Sequence, residues 1–193
     1  VIVVVDNRDS FVWNLVEYVS IFDEVKIVPN SASYGDVKKL NPDGIIISPG
    51  PGSPNNERDV GNSPEIVENA DVPVLGVCLG HQIIASVFGG VIGKVKPVHG
   101  KSSLVEHDGK GIFKGVKNPL RAGRYHSLAV LEPPDGFEVS ARADGVIMGL
   151  RSKDGSVEGV QFHPESVLTP REEGLKMIRN FLVICDVLED LWD

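Results

Sequence analysis

Val74-Leu75-Gly76-Val77-Cys78-Leu79-Gly80-His81-Gln82 is the stretch on which the reading of this chain turns. Pro73 to Val77 reads as a short buried strand, and Leu79, Ile83, Ile84 and Phe88 recur at helical spacing directly after it. Strand passes into helix through Gly-x-Cys-x-Gly, the elbow that lifts a nucleophile out of a sheet edge, with cysteine where serine is more usual. Glycines on either side let strand and helix approach closely enough for the turn. The positive end of the helix favours the thiolate, the reactive form of a cysteine. A structural cysteine at a strand end is the bland alternative, and it leaves the flanking glycines unexplained.

The same alternation extends on both sides of the elbow. Val1 to Val5 is a continuous β-branched run, as in a strand buried on both faces. Phe11, Leu15, Val19 and Phe22 then recur at helical spacing, with Asp9 or Ser10 available as cap. Strands are expected at 25–28 and 44–48. A stiff loop, Pro49-Gly50-Pro51-Gly52-Ser53-Pro54, follows, and then a helix over 64–70 capped by Ser63. This argues an α/β fold: an open, mostly parallel sheet with helices on both faces. From Gly89 onward, short strand candidates at 91–96, 102–107, 120–125, 128–131, 137–143, 146–151 and 157–162 suggest antiparallel additions to the same domain. With no linker or repeat in view, residues 1–193 are expected to form a single domain. A last helix from about Arg171 puts Leu175, Ile178, Leu182, Cys185 and Leu188 on one face, which makes Cys185 a small core residue.

Composition narrows the setting. Among 193 residues, 19 Lys and Arg face 27 Asp and Glu, a net charge of −8, so wide contact with nucleic acid or anionic lipid is not expected. Two cysteines are too few for a disulfide framework and favour a reducing compartment. The apolar run at Val1 stops at Asp6, too short for a signal segment or a membrane span, so a cytoplasmic protein is expected. Cys78 and His81 could be half a zinc site, but no second Cys or His pair stands at ligand spacing, and no metal is expected.

A cysteine nucleophile needs a base, and the chain holds five histidines. The sharpest context is Gly159-Val160-Gln161-Phe162-His163-Pro164-Glu165. Pro164 biases His163 towards an extended backbone, in which residues two apart face the same way. Glu165 can then orient one imidazole nitrogen and leave the other for the thiol. His81, three residues after Cys78, is the rival base, but it lacks an orienting acid and reads as a support for the elbow. Negative charge developing on a substrate carbonyl needs donors. The amide of Leu79 and those of the Pro49–Pro54 loop lie where the carboxyl edge of such a sheet binds ligands. Asp6 and Asp9 read as loop and capping residues.

Four ordered segments, Ser48 to Pro54, Gly76 to Gln82, Arg124-Tyr125-His126-Ser127-Leu128 and Gly159 to Ser166, together resemble the class I, or triad, glutamine amidotransferases. The likeness covers essentially the whole chain. Asp6-Asn7-Arg8-Asp9-Ser10-Phe11 and His99-Gly100-Lys101-Ser102-Ser103 narrow it to the glutaminase subunits of anthranilate synthase, with those of aminodeoxychorismate synthase nearly as similar. Val12-Trp13 departs from the pattern, where a Thr and another aromatic are more usual. The resemblance implies a flavodoxin-like sheet, Cys78 as nucleophile, His163 as base and Glu165 as its orienter. It implies a glutamine site lined by Gly50, Pro51, Gly52, Leu79, Gln82, Ser127 and Leu128. As partner it implies a larger chorismate-binding synthase subunit, with magnesium bound there and no cofactor in this chain. Gln82, one helical turn from Cys78, could meet the substrate's α-amino or α-carboxylate group.

Two other classes fit less well. A phospho-receiver would need an aspartate where Ser48 stands. A dinucleotide-binding module would need Gly89-Gly90-Val91-Ile92-Gly93 to open a helix, whereas it follows one.

Overall fold

The computed structural model of the chain describes residues 1–191. Strand and helix alternate first: β1 (Ile2–Asp6), α1 (Val12–Ser20), β2 (Val25–Pro29), α2 (Tyr34–Lys39), β3 (Gly44–Ile47), α3 (Glu57–Val60), α4 (Ser63–Asn69), β4 (Val74–Val77) and α5 (Leu79–Val87). Next come β5 (Val91–His107), a 3₁₀ turn at Gly111–Phe113, β6 (Leu120–Glu132), β7 (Phe137–Ala143) and β8 (Val146–Ser152). β9 (Val157–Val160) and α6 (Arg171–Ile184) complete the order. The nine strands join in one sheet, ordered β2-β1-β3-β4-β9-β8-β7-β5-β6. Pairings from β2 to β9 are parallel and the remainder antiparallel. The expected mixed sheet, parallel core with antiparallel additions, is what forms.

The β-branched run at the start is apolar throughout because both faces of β1 are covered. Ile2 and Val4 join a core with Leu15 and Val19 of α1 and Ile178 and Phe181 of α6. Val3 and Val5 join the opposite core with Val37 of α2, Ile66 of α4 and Ile83 of α5. Burial of each such side chain contributes about 1.5–3 kcal/mol. Winding reverses between β1 and β3, so the carboxyl ends of β1, β3, β4 and β9 open a crevice there. The loops at those ends carry Asp6–Asp9, Pro49–Pro54, Cys78 and Gln161–Glu165.

The structure departs from the sequence reading in several places. Phe11 is not on the buried stripe: it is 63% exposed, and Val12, Leu15, Tyr18 and Val19 form the inner face of α1. The helix starts later because Asp6 Oδ1 accepts the Asp9 N–H (2.9 Å) and Asp9 Oδ1 accepts the Phe11 N–H (3.1 Å), which keeps those residues in a turn. Ser63 lies inside α4 behind an Asn62 cap, and its hydroxyl donates to Asn7 Oδ1 at 2.8 Å. The candidates at 91–96 and 102–107 fuse into the 17-residue β5, and those at 120–125 and 128–131 into β6. Pro97 and Gly100, which read as breaks, fall at shifts of register within the β5–β6 ladder. α2 and α3 each bury one side chain, too little to show periodicity, although α2 carries a capping box between Ser33 and Asp36. Cys185 caps α6 in the core, as expected, and burial pushes its thiol up to about 12. Leu188 lies beyond the helix but still packs on that core. Among the described residues no helix is long and apolar enough to cross a membrane.

Candidate active site

Cys78 sits between β4 and α5 with φ 53° and ψ −102°, a left-handed conformation that costs a non-glycine residue roughly 1–3 kcal/mol. Two backbone bonds hold it there: its N–H donates to Val160 O of β9 (2.8 Å), and its carbonyl accepts the Gln82 N–H (3.1 Å). The flanking glycines touch each other. A Cβ on Gly76 would come within 2.5 Å of the Gly80 carbonyl, and one on Gly80 within 2.1 Å of the Ile47 carbonyl oxygen. Both obstacles are backbone and cannot swing aside. Gly80→Ala is therefore expected to cost about 2–3 kcal/mol by overpacking. That corresponds to a fall in Tm of roughly 4–12 °C for a chain of this size. An unshifted melting curve would show that the elbow tolerates a looser approach.

Glu165 Oε1 meets His163 Nδ1 at 2.9 Å, and both residues are buried, so the extended His-Pro-Glu geometry expected from sequence is realised. The loop is pinned to β6, since His163 N–H donates to Gly123 O (3.0 Å) and Gly123 N–H donates to Thr169 Oγ1 (3.0 Å), which itself donates to His163 O (2.7 Å). Burial alone would depress the His163 pKa, but the interactions with Cys78 and Glu165 outweigh it and hold the pKa well above 6.5. Nε2 closes no hydrogen bond and remains for Cys78 and a substrate. Tyr125 stands edge-on to the His163 ring, 5.0 Å between centroids, with its hydroxyl 3.0 Å from Ser166 Oγ. The rival base is unsuited: burial holds His81 neutral, with its pKa down at about 3.

Cys78 lies between two cavities. One, of about 160 Å³, is lined by Gly50, Pro51, Gly52, Leu79, Gln82, Ser127 and Leu128, which brings every residue expected at a glutamine site to one place. The other, of about 370 Å³, reaches Cys78 from the side of His163 and Glu165 and is bordered by Arg8, Phe11 and Val167. Leu79 opens α5, so its N–H has no partner within the helix. In the facing loop Pro51 has no N–H, and the Ser53 N–H is already taken by Asp59 Oδ2 (3.0 Å). The N–H groups of Gly50 and of Gly52, the latter at φ 93°, are left as loop donors. The missing Cβ of Gly52 is where the Asp59 carboxylate lies, 2.0 Å from the built position. Asn7, fully buried, ties the loop to the end of β1: its N–H donates to Ser48 Oγ (2.8 Å) and its Nδ2 to Ser48 O (2.9 Å).

For Gln82 the structure narrows the expectation of an α-amino or α-carboxylate contact to the α-amino group. Gln82 Nε2 donates to Leu128 O (2.9 Å) and to Gln161 Oε1 (3.1 Å), so both N–H groups are spent on the protein. Only Oε1, an acceptor, is left for a ligand, which suits a substrate ammonium and not a carboxylate. Gln161 in turn aims Nε2 at Cys78 Sγ, 3.5 Å away. In the sequence Gln161 stands beside the His163 motif with no role attached to it. Asn7, Tyr125 and Arg124, quoted there only as parts of family-like segments, and Asp59, outside any of them, likewise had no role of their own there.

An elbow cysteine, a carboxylate-oriented histidine and paired amides over a small polar pocket define an acyl-transfer enzyme with a cysteine nucleophile. The model of the class-I glutamine amidotransferases matches residues 3–185, and the chain belongs to that family. Anthranilate synthase component 2 of Thermococcus kodakarensis is 64% identical over 94% of this chain and 96% of its own length. The protein of that name from Archaeoglobus fulgidus is also 64% identical, over 95% and 98%. The aminodeoxychorismate/anthranilate synthase component 2 of Bacillus subtilis is 47% identical over 94% and 95%. Among solved structures, a Thermoplasma acidophilum protein assigned to the GMP synthases matches with a TM-score of 0.85 at 28% identity, covering 96% of this chain and 93% of that one.

Proposed function

We propose that the chain is the glutaminase component of anthranilate synthase, hydrolysing glutamine and passing ammonia to a chorismate-using synthase subunit. The observation that carries the chemistry is the strained Cys78 set between the His163–Glu165 pair and the Gly52 and Leu79 amides. The Cys78 thiolate attacks the side-chain carboxamide carbon, and the oxyanion accepts from the two amides. Protonated His163 gives its proton to the departing nitrogen, ammonia leaves, and a γ-glutamyl thioester remains on Cys78. His163 then takes a proton from water as its oxygen bonds to the acyl carbon. Glutamate departs when the C–S bond breaks.

The choice of acceptor rests on the 64% identical relatives named for anthranilate synthase. A partner is also in keeping with the exposed apolar side chains near the mouth of the larger cavity, Phe11 at 63% and Val167 at 92%. Ammonia freed into neutral water would become ammonium, which is not a nucleophile, so a covered exit serves the chemistry. The Bacillus subtilis relative, named for both reactions, favours a second reading in which one glutaminase serves both synthases. Co-purification with each candidate synthase subunit, followed by identification of the aromatic product formed from chorismate and glutamine, separates them. Anthranilate alone supports the first reading, both products support the second, and aminodeoxychorismate alone overturns the first.

A further inference from the structure

Arg124 of β6 is buried, 2% exposed, yet it lines neither cavity at Cys78. Its Nε donates to His126 Nε2 at 3.0 Å, and its Nη1 donates to Ser103 Oγ (3.1 Å) and to Asp144 Oδ2 (3.0 Å). A guanidinium has donors only and keeps its charge in proteins, so His126 Nε2 can only be an acceptor in this bond. The single proton of the neutral ring must then sit on Nδ1. That nitrogen lies 2.9 Å from Leu128 O, which fixes the bond as Nδ1–H donating to the carbonyl. Leu128 O also accepts from Gln82 Nε2 at 2.9 Å, so two donors from separate elements hold it. The Ser127-Leu128 peptide, which borders the glutamine pocket, is therefore clamped by two side chains that line the same pocket.

We infer that Arg124 is a positioning residue for glutamine binding: by fixing the His126 tautomer it locks the Ser127-Leu128 backbone that borders the substrate pocket. This rests on the small cavity being the glutamine site. The charged and titratable groups around His126 are Arg124 on its own strand, His99 on β5, His81 on α5 and His163 after β9, with Asp144 bound to Arg124. Burial, and then the charge of Arg124, keep the imidazole neutral, with its pKa near 4 although the Leu128 bond opposes this. Without Arg124, both neutral tautomers become available. The one with the proton on Nε2 sets a lone pair against Leu128 O and releases the strand.

Arg124→Met is expected to raise KM for glutamine by about tenfold or more near pH 8, the scale of one unsatisfied buried acceptor, with a smaller effect on kcat. The distinguishing readout is pH. Burial still holds the His126 pKa below 6.5 in the variant, so well on the acid side of 6.5 the ring gains a proton on Nε2 and again donates from Nδ1, and the KM defect shrinks there. A merely structural loss would not recover in this way. Nitrogen NMR of His126 in the unaltered chain reads the tautomer directly and does not depend on the variant folding. Nδ1–H at neutral pH supports the assignment, and Nε2–H overturns it. An unchanged KM, or a KM defect independent of pH, also overturns it. Failure of the glutamine-site reading shows separately, as absence of glutamine turnover by the unaltered chain with its synthase partner.

Discussion

Replacing Cys78 by alanine is expected to abolish glutamine-dependent activity while leaving ammonia-dependent synthesis by the assembled complex intact. Loss of a nucleophile costs on the order of 10⁶ in kcat, about 8 kcal/mol of barrier. The remaining groups cannot substitute for it. His81 is held neutral with a pKa of about 3, and Gln161, the polar neighbour of Sγ, has no nucleophilic atom. Added ammonia bypasses the thioester, so the synthase reaction tests whether the complex is still assembled. A companion variant separates chemistry from strain. Cys78→Gly should be equally inactive but more stable than Cys78→Ala by roughly 1–3 kcal/mol, because glycine adopts φ 53° without penalty. Both variants are measured by glutamate release and by chemical denaturation. Glutamate release from Cys78→Ala at the unaltered rate would remove Cys78 from the mechanism.

The sequence made the elbow legible because everything that defines it is local. Gly76, Cys78 and Gly80 must be close in the chain for β4 to turn into α5 without a loop. The His163–Glu165 pair was legible for the same reason, since two residues of extended chain fix its geometry. The clamp at the pocket wall was not. Gln82 meets Leu128 across 46 residues and Gln161 across 79, and Gln161 meets Cys78 across 83. Those contacts follow from β9 returning between β4 and β8, a topological fact that no short motif encodes. Gln82 shows the consequence: helical spacing placed it correctly beside Cys78, but only the fold reveals that its two N–H groups are already committed. Arg124 and His126 are two apart on one strand, so they could have been paired from sequence. What gives the pairing meaning is the burial of that charge and the Leu128 carbonyl behind it.

Glu165→Gln changes one carboxylate into an amide of the same shape, and it is expected to lower kcat by about 10⁴, the scale of the equivalent exchange in a serine triad. Glu165 Oε1 now accepts from His163 Nδ1 at 2.9 Å, which leaves Nε2 for the proton exchanged with Cys78 and the leaving nitrogen. An amide NH₂ turned towards Nδ1 would stabilise the opposite tautomer, with Nε2 already protonated in the neutral ring and unable to act as a base. The pH dependence shifts as well, and its sign is fixed. Burial opposes charge on His163 more than any other influence, and the pKa stays well above 6.5 only because Cys78 and Glu165 outweigh it. With the Glu165 charge gone, the proton is lost at lower pH, so the alkaline limb of kcat/KM should move towards acid. Stability carries the same signature. A histidine whose folded pKa is raised stabilises the fold fully below 6.5, and that contribution fades as pH rises through the folded value. The stability gap between the original chain and Glu165→Gln should accordingly be wider on the acid side of 6.5 and narrow towards alkaline pH. A Glu165→Gln enzyme with an unmoved pH–rate profile would mean that Glu165 only fills space behind the ring and does not set the charge on His163.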